Sequence, residues 1–81
     1  MSYKYTDLRK VDLLNMNLDT MKELAREEVK HYLEIKDVTT IYDRLPQAYN
    51  LIKLEKNLQR YRVFDKEAQE LCNTIKKFNL R

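Results

Sequence analysis

Glu28-Val29-Lys30-His31 sets a carboxylate and an imidazole three residues apart, a step that places both on one face of a helix. Repeated on a second helix, the same step builds a carboxylate-bridged di-metal site. This sequence has one histidine in all, so the second copy is missing. Glu27 and Glu34 lie on or near the same face, and the reading that remains is a solvated histidine among acids. No metal or other cofactor is expected. Nucleophilic chemistry is no better supplied. Ser2 is the only serine and lies near a chain end, where fraying is expected. Cys72 falls on an apolar stripe beside Leu71 with no acid–base partner placed by spacing, which describes a small buried thiol. Glu27 and Glu28 are adjacent and so point in different directions on a helix. No catalytic set emerges, and the chain is expected not to be an enzyme.

The better constellation is a face. Tyr49, Lys53, Lys56, Asn57 and Arg60 recur at helical steps, at the margin of the apolar positions Leu51, Leu58 and Tyr61. Arg62, Lys66, Lys76, Lys77 and Arg81 add positive charge further on. Cations interleaved with an aromatic suit a phosphate backbone or an exposed base. An ordinary solvent-facing helix has the same pattern, and Glu55, Asp65, Glu67 and Glu70 dilute the field. Charge is uneven along the chain: residues 1–40 carry seven Lys/Arg against eight Asp/Glu, whereas residues 41–81 carry nine against five. An anionic partner would therefore meet the second half. On this reading Lys53 and Lys56 are surface residues, and replacing either with Ala should change stability by less than about 0.5 kcal/mol.

The elements that must position these residues follow from what the sequence lacks. It has no glycine and one proline, so glycine-cradled phosphate loops and two-residue hairpin turns are disfavoured. With 43% hydrophobic and 36% charged residues the composition is globular, and 81 residues suit a single small helical domain over 1–81. No more than two apolar residues are consecutive, which fits neither a membrane-spanning helix nor a signal-peptide core. One unpaired cysteine and no secretion signal point to a reduced, cytoplasmic protein with no membrane partner.

Periodicity predicts an all-α fold. The expectation is a small bundle of three main helices, about 18–36, 44–62 and 66–78, preceded by a short N-terminal helix. Thr6 or Asp7 can cap that first helix, which runs through about Leu14. Leu18, Met21, Leu24/Ala25, Val29, Tyr32 and Leu33 make the apolar stripe of the next, with Thr20-Met21-Lys22-Glu23 as a capping box or Asn17 as the cap. Asp37 to Asp43 breaks the pattern with β-branched residues and reads as the main connection, with room for a turn of helix inside it. Asp43 can cap the third segment, with Pro46 in its first turn and Leu45, Ala48, Tyr49, Leu51/Ile52, Leu58 and Tyr61 inward.

An alternative is a helical hairpin with one long C-terminal helix. The stripe Leu54, Leu58, Tyr61, Phe64, Ala68, Leu71, Ile75 and Phe78 stays almost in phase through residues 62–65. Unbroken, that helix would be about 50 Å long against a partner of about 27 Å. Asp65 can instead cap a separate last helix. Either way, Leu54, Tyr61, Phe64, Leu71 and Phe78 form a candidate protein-interaction stripe, which a homodimer would pair with itself. The expected function is a non-catalytic protein–protein interaction module, a small regulator, inhibitor or adaptor with a Tyr/Leu-lined helical surface. The alternative is a small nucleic-acid binder using the basic face of the 44–62 helix.

Overall fold

The computed structural model describes Leu8 and residues 11–80. Three helices pack against one another: α1 Leu18–Ile35, α2 Leu45–Leu58 and α3 Lys66–Lys77. The expected caps Thr6 and Asp7 lie outside the described residues. Of the expected N-terminal helix, the described part has a 3-10 turn at Leu13–Asn15, whose Asp12 side chain accepts from the Leu14 amide.

α1 starts at Asn17, whose Oδ1 accepts from the amides of Asp19 (2.7 Å) and Thr20 (3.3 Å). Of the two cap choices open to this stretch, the structure uses the earlier, and Thr20 lies inside the helix. The buried line is Met21, Ala25, Glu28 and Tyr32, steps of four and three residues. Leu24 and Val29 flank it half-buried, and Leu33, one residue past Tyr32, has rotated out into solvent.

α2 has Pro46 in its first turn, where a missing amide hydrogen is tolerated. Its cap is Arg44, not the expected Asp43, and no side chain closes the amide end. The reason lies in the preceding turn, where the Asp43 amide is turned back to Thr40 Oγ1 (3.3 Å). The buried side is Asn50, Leu51, Leu54, Glu55 and Leu58, leaving Leu45 and Tyr49 outside although the stripe suggested them inward.

A 3-10 turn at Gln59–Tyr61 tightens the end of α2, and residues 62–64 turn the chain back. Asp65 is extended (φ −118°, ψ 111°) and accepts from the Ala68 amide at 3.0 Å. The long helix is therefore broken, and the bundle is the architecture. α3 buries Ala68, Leu71, Cys72 and Ile75. Asn79 follows Phe78 with φ 56°. This left-handed position usually falls to glycine, and in a glycine-free chain asparagine is the least strained substitute.

The main core joins Leu8, Leu13, Met21, Ala25, Leu54, Leu58, Ala68, Leu71 and Cys72. A second cluster joins Tyr32, Leu51 and Ile75, with Val29, Ala48, Phe78 and Leu80 packed on it.

Candidate interaction surfaces

The connection between α1 and α2 is built to hold one shape. Thr39 Oγ1 donates to the Ile35 carbonyl at 2.6 Å, closing the end of α1. Arg44 Nη1 donates to the carbonyls of Lys36 and Thr39, each at 2.6 Å, while its guanidinium carbon lies 5.7 Å from the centre of the Tyr32 ring. One arginine thus braces the connection internally at Thr39 and ties it to the end of α1 at Lys36 and Tyr32. Held this way, Val38, Ile41 and Tyr42 face solvent, with Tyr42 and Val38 both 79% exposed. Leu45 and Tyr49, four residues apart on one face of α2, are exposed as well. Sequence reasoning took residues 37–43 as the main connection with room for a turn of helix, and the Arg44 amide, bonded to the Thr40 carbonyl at 3.2 Å, closes such a turn. The signal it passed over is composition, since Val38, Ile41 and Tyr42 occupy loop positions where polar residues are the rule.

A second surface lies at the other end of α2. Val11, Asp12, Leu13 and Leu14 form one wall of a groove of about 380 Å³, and Lys53, Lys56, Asn57 and Arg60 form the other. Four residues of the expected anionic-partner face are therefore brought together, whereas Tyr49 lies further up the helix and outside the groove. Lys53 is not a surface cation. Its Nζ donates to the Leu8 carbonyl and, at 3.1 Å, to the Val11 carbonyl, so it fastens the N-terminal segment to α2. Asn50 completes the fastening, with Oδ1 accepting from the Leu8 amide (3.3 Å) and Nδ2 donating to Glu28 Oε1 (2.7 Å). Glu28, the acid of the Glu-x-x-His step, is thus a buried acceptor beneath the N-terminal segment.

The expected interaction stripe is divided between core and surface. Leu54 and Leu71 are internal, Tyr61 is half-buried against the same core, and Phe78 stacks on Tyr32 with ring centres 4.8 Å apart. Phe64 is 73% exposed beside Val63, its ring edge-on to Tyr61 at 5.9 Å.

Charges concentrate between α1 and α3. Lys22 Nζ lies 3.0 Å from Asp65 Oδ2 and 3.3 Å from Glu67 Oε1, and Arg26 pairs with Glu67. The Ala68 amide, then Lys22, holds the Asp65 carboxyl below the usual carboxylate range. Arg26 foremost does the same for Glu67, and the bond to Asp65 raises the Lys22 ammonium. Burial pushes the Cys72 thiol up, which disfavours the nucleophilic thiolate. Among the described residues, no three His, Cys, Asp or Glu side chains converge as a metal-binding group, and no helix is long and apolar enough to cross a membrane. Comparison of the chain with protein-family models, with curated proteins and with solved structures gives no match in any of the three.

Proposed function

We propose that this chain is a non-catalytic protein-interaction module, a small regulator, inhibitor or adaptor, and that it docks through Val38, Ile41, Tyr42, Leu45 and Tyr49. One observation carries the reading. Of the nine large hydrophobic residues exposed among the described residues, six fall between Leu33 and Tyr49. Scattered apolar residues on a surface need no explanation, but clustering on one pinned segment does. Arg44 ties the segment to the end of α1 through two hydrogen bonds, and a segment held in place before binding lowers the ordering cost of docking. Two tyrosines in the patch suit an interface, where a broad apolar ring with a polar tip serves well.

The experiment is affinity capture from the native host with three tagged forms. Wild type and a Val63→Ser/Phe64→Ser control should retain the same stoichiometric protein, and an Ile41→Asp/Tyr42→Asp variant of unchanged circular dichroism should lose it. Retention by the Ile41/Tyr42 variant would refute the patch as the docking surface. Retention of nucleic acid in place of protein, abolished by salt, would support the nucleic-acid reading instead.

A further inference from the structure

We propose that the groove between residues 11–14 and the C-terminal end of α2 docks a peptide segment of another protein, one with a carboxylate beside an apolar side chain. This assignment does not rest on the patch at residues 33–49.

The groove pairs two chemistries. Val11, Leu13 and Leu14 supply an apolar wall, with Leu13 buried at its base and Leu14 65% exposed at its lip. Opposite stand Lys56 and Arg60. Neither has a carboxylate partner among the described residues. Asp12, the single acid lining the groove, has both oxygens occupied within its own turn, by the Leu14 amide (3.1 Å) and by Asn15 Nδ2 (2.6 Å). Lys56 lies in the last turn of α2 and Arg60 in the 3-10 turn that ends it, where a cation complements the carbonyl end. Arg60 also donates through Nε to the Asn57 carbonyl and through Nη2 to the Tyr61 hydroxyl, each at 3.4 Å. Those contacts leave both cations without a carboxylate, and an exposed leucine lines the same cleft.

The walls are fixed in advance. Lys53 ties the Leu8 and Val11 carbonyls to α2, Asn57 Nδ2 donates to the Lys53 carbonyl at 2.9 Å, and Arg60 lies over the Tyr61 ring at 5.2 Å. Charge complementarity selects an anionic group, and the leucine lip selects an apolar neighbour to it. A polypeptide supplies both within two or three residues. A nucleic-acid strand fits less well, because a phosphate track needs a row of cations and Lys53 is already committed to backbone carbonyls. The ring of Tyr61 does not line the groove, and Arg60 lies over it.

The probe is a twelve-residue synthetic peptide alternating Glu and Leu, titrated into isotope-labelled protein while amide resonances are followed. Its Gln-for-Glu counterpart and a single-stranded oligodeoxynucleotide are the comparison arms. Shifts should cluster at Leu13, Leu14, Lys56, Asn57 and Arg60. The Gln peptide should bind about tenfold more weakly, the factor one charge-assisted hydrogen bond carries. Lys56→Gln/Arg60→Gln should lose the same factor with an unchanged spectrum elsewhere, and Leu14→Ser should weaken binding at every salt concentration. The proposal fails if the peptide moves none of these amides up to about 1 mM, the weak end of recognition. It also fails if the shifts fall on residues 33–49, or if the oligonucleotide gives the groove shifts at lower concentration than the peptide.

Discussion

Lys53 shows how one side chain changes its meaning when the fold is known. As a cation at a helical step it belongs with Lys56 on a solvent face. In the structure its ammonium holds two carbonyls of a segment more than forty residues away in sequence. Removing it leaves those carbonyls with one fewer charged donor, a loss of about 1.5–3 kcal/mol. Lys53→Ala should therefore destabilise by about that amount in urea unfolding, while Lys56→Ala should cost less than about 0.5 kcal/mol. Equal, negligible effects would show that the Lys53 contact is not maintained in solution. Cys72 is the second residue-scale case. Buried at 1% exposure and with its thiol pKa raised, it should resist alkylation in buffer and react fully in denaturant. The linkage has a definite sign. The folded state binds the thiol proton more tightly than the unfolded state, so this contribution to stability is complete below the ordinary thiol pKa. It is lost as pH rises through the folded value. Rapid labelling without denaturant would contradict the packing.

At the scale of elements, the decisive feature is the break at residues 62–65. An almost continuous apolar stripe runs through it, yet Asp65 ends the run by accepting from the Ala68 amide and meeting Lys22 of α1. The two bonds are separable. Asp65→Asn keeps a capping oxygen and loses the charge, whereas Asp65→Ala loses both, so the midpoint of thermal unfolding should fall in the order wild type, Asn, Ala. Because the folded Asp65 carboxyl titrates below its ordinary value, its stabilisation is complete above the usual carboxylate range. It is lost as pH falls through the folded value. Asp65→Ala should accordingly show a shallower decline of stability on acidification than wild type. An identical acid limb in both proteins would place the acid sensitivity elsewhere.

For the whole molecule, the question is which apolar residues the bundle leaves uncovered. Folding the last helix back takes Leu54 and Leu71 of the apolar stripe into the core. Phe64 and Val63 remain outside on a turn. Phe64→Asp should therefore leave the helical signal intact and shift stability by about 0.5 kcal/mol or less. Loss of the fold would mean that Phe64 belongs to a core. Ile41→Asp/Tyr42→Asp should likewise keep the fold, and should lower binding of a hydrophobic dye more than Phe64→Asp does, since the larger apolar cluster lies there. Equal dye binding by the two variants would show that residues 33–49 present no continuous apolar surface.

Much of this was determined locally and is readable from the chain alone. The absence of glycine and the three- and four-residue apolar steps dictate helices, and Asn17, Pro46 and Asp65 mark their starts through chemistry within a few residues. Basic residues at helical steps on α2 were legible as a face for the same reason. Tertiary structure decided the rest, because burial depends on which segment arrives opposite. Leu8 and Val11 arrive against α2, and so Lys53, Asn50 and Glu28 become polar ties in place of surface groups. The groove exists only because Leu13 and Leu14 are brought beside Lys56 and Arg60, more than forty residues away. The patch exists because Arg44 reaches back to the end of α1 and turns Val38, Ile41 and Tyr42 outward, an outcome no periodicity in a connecting segment encodes.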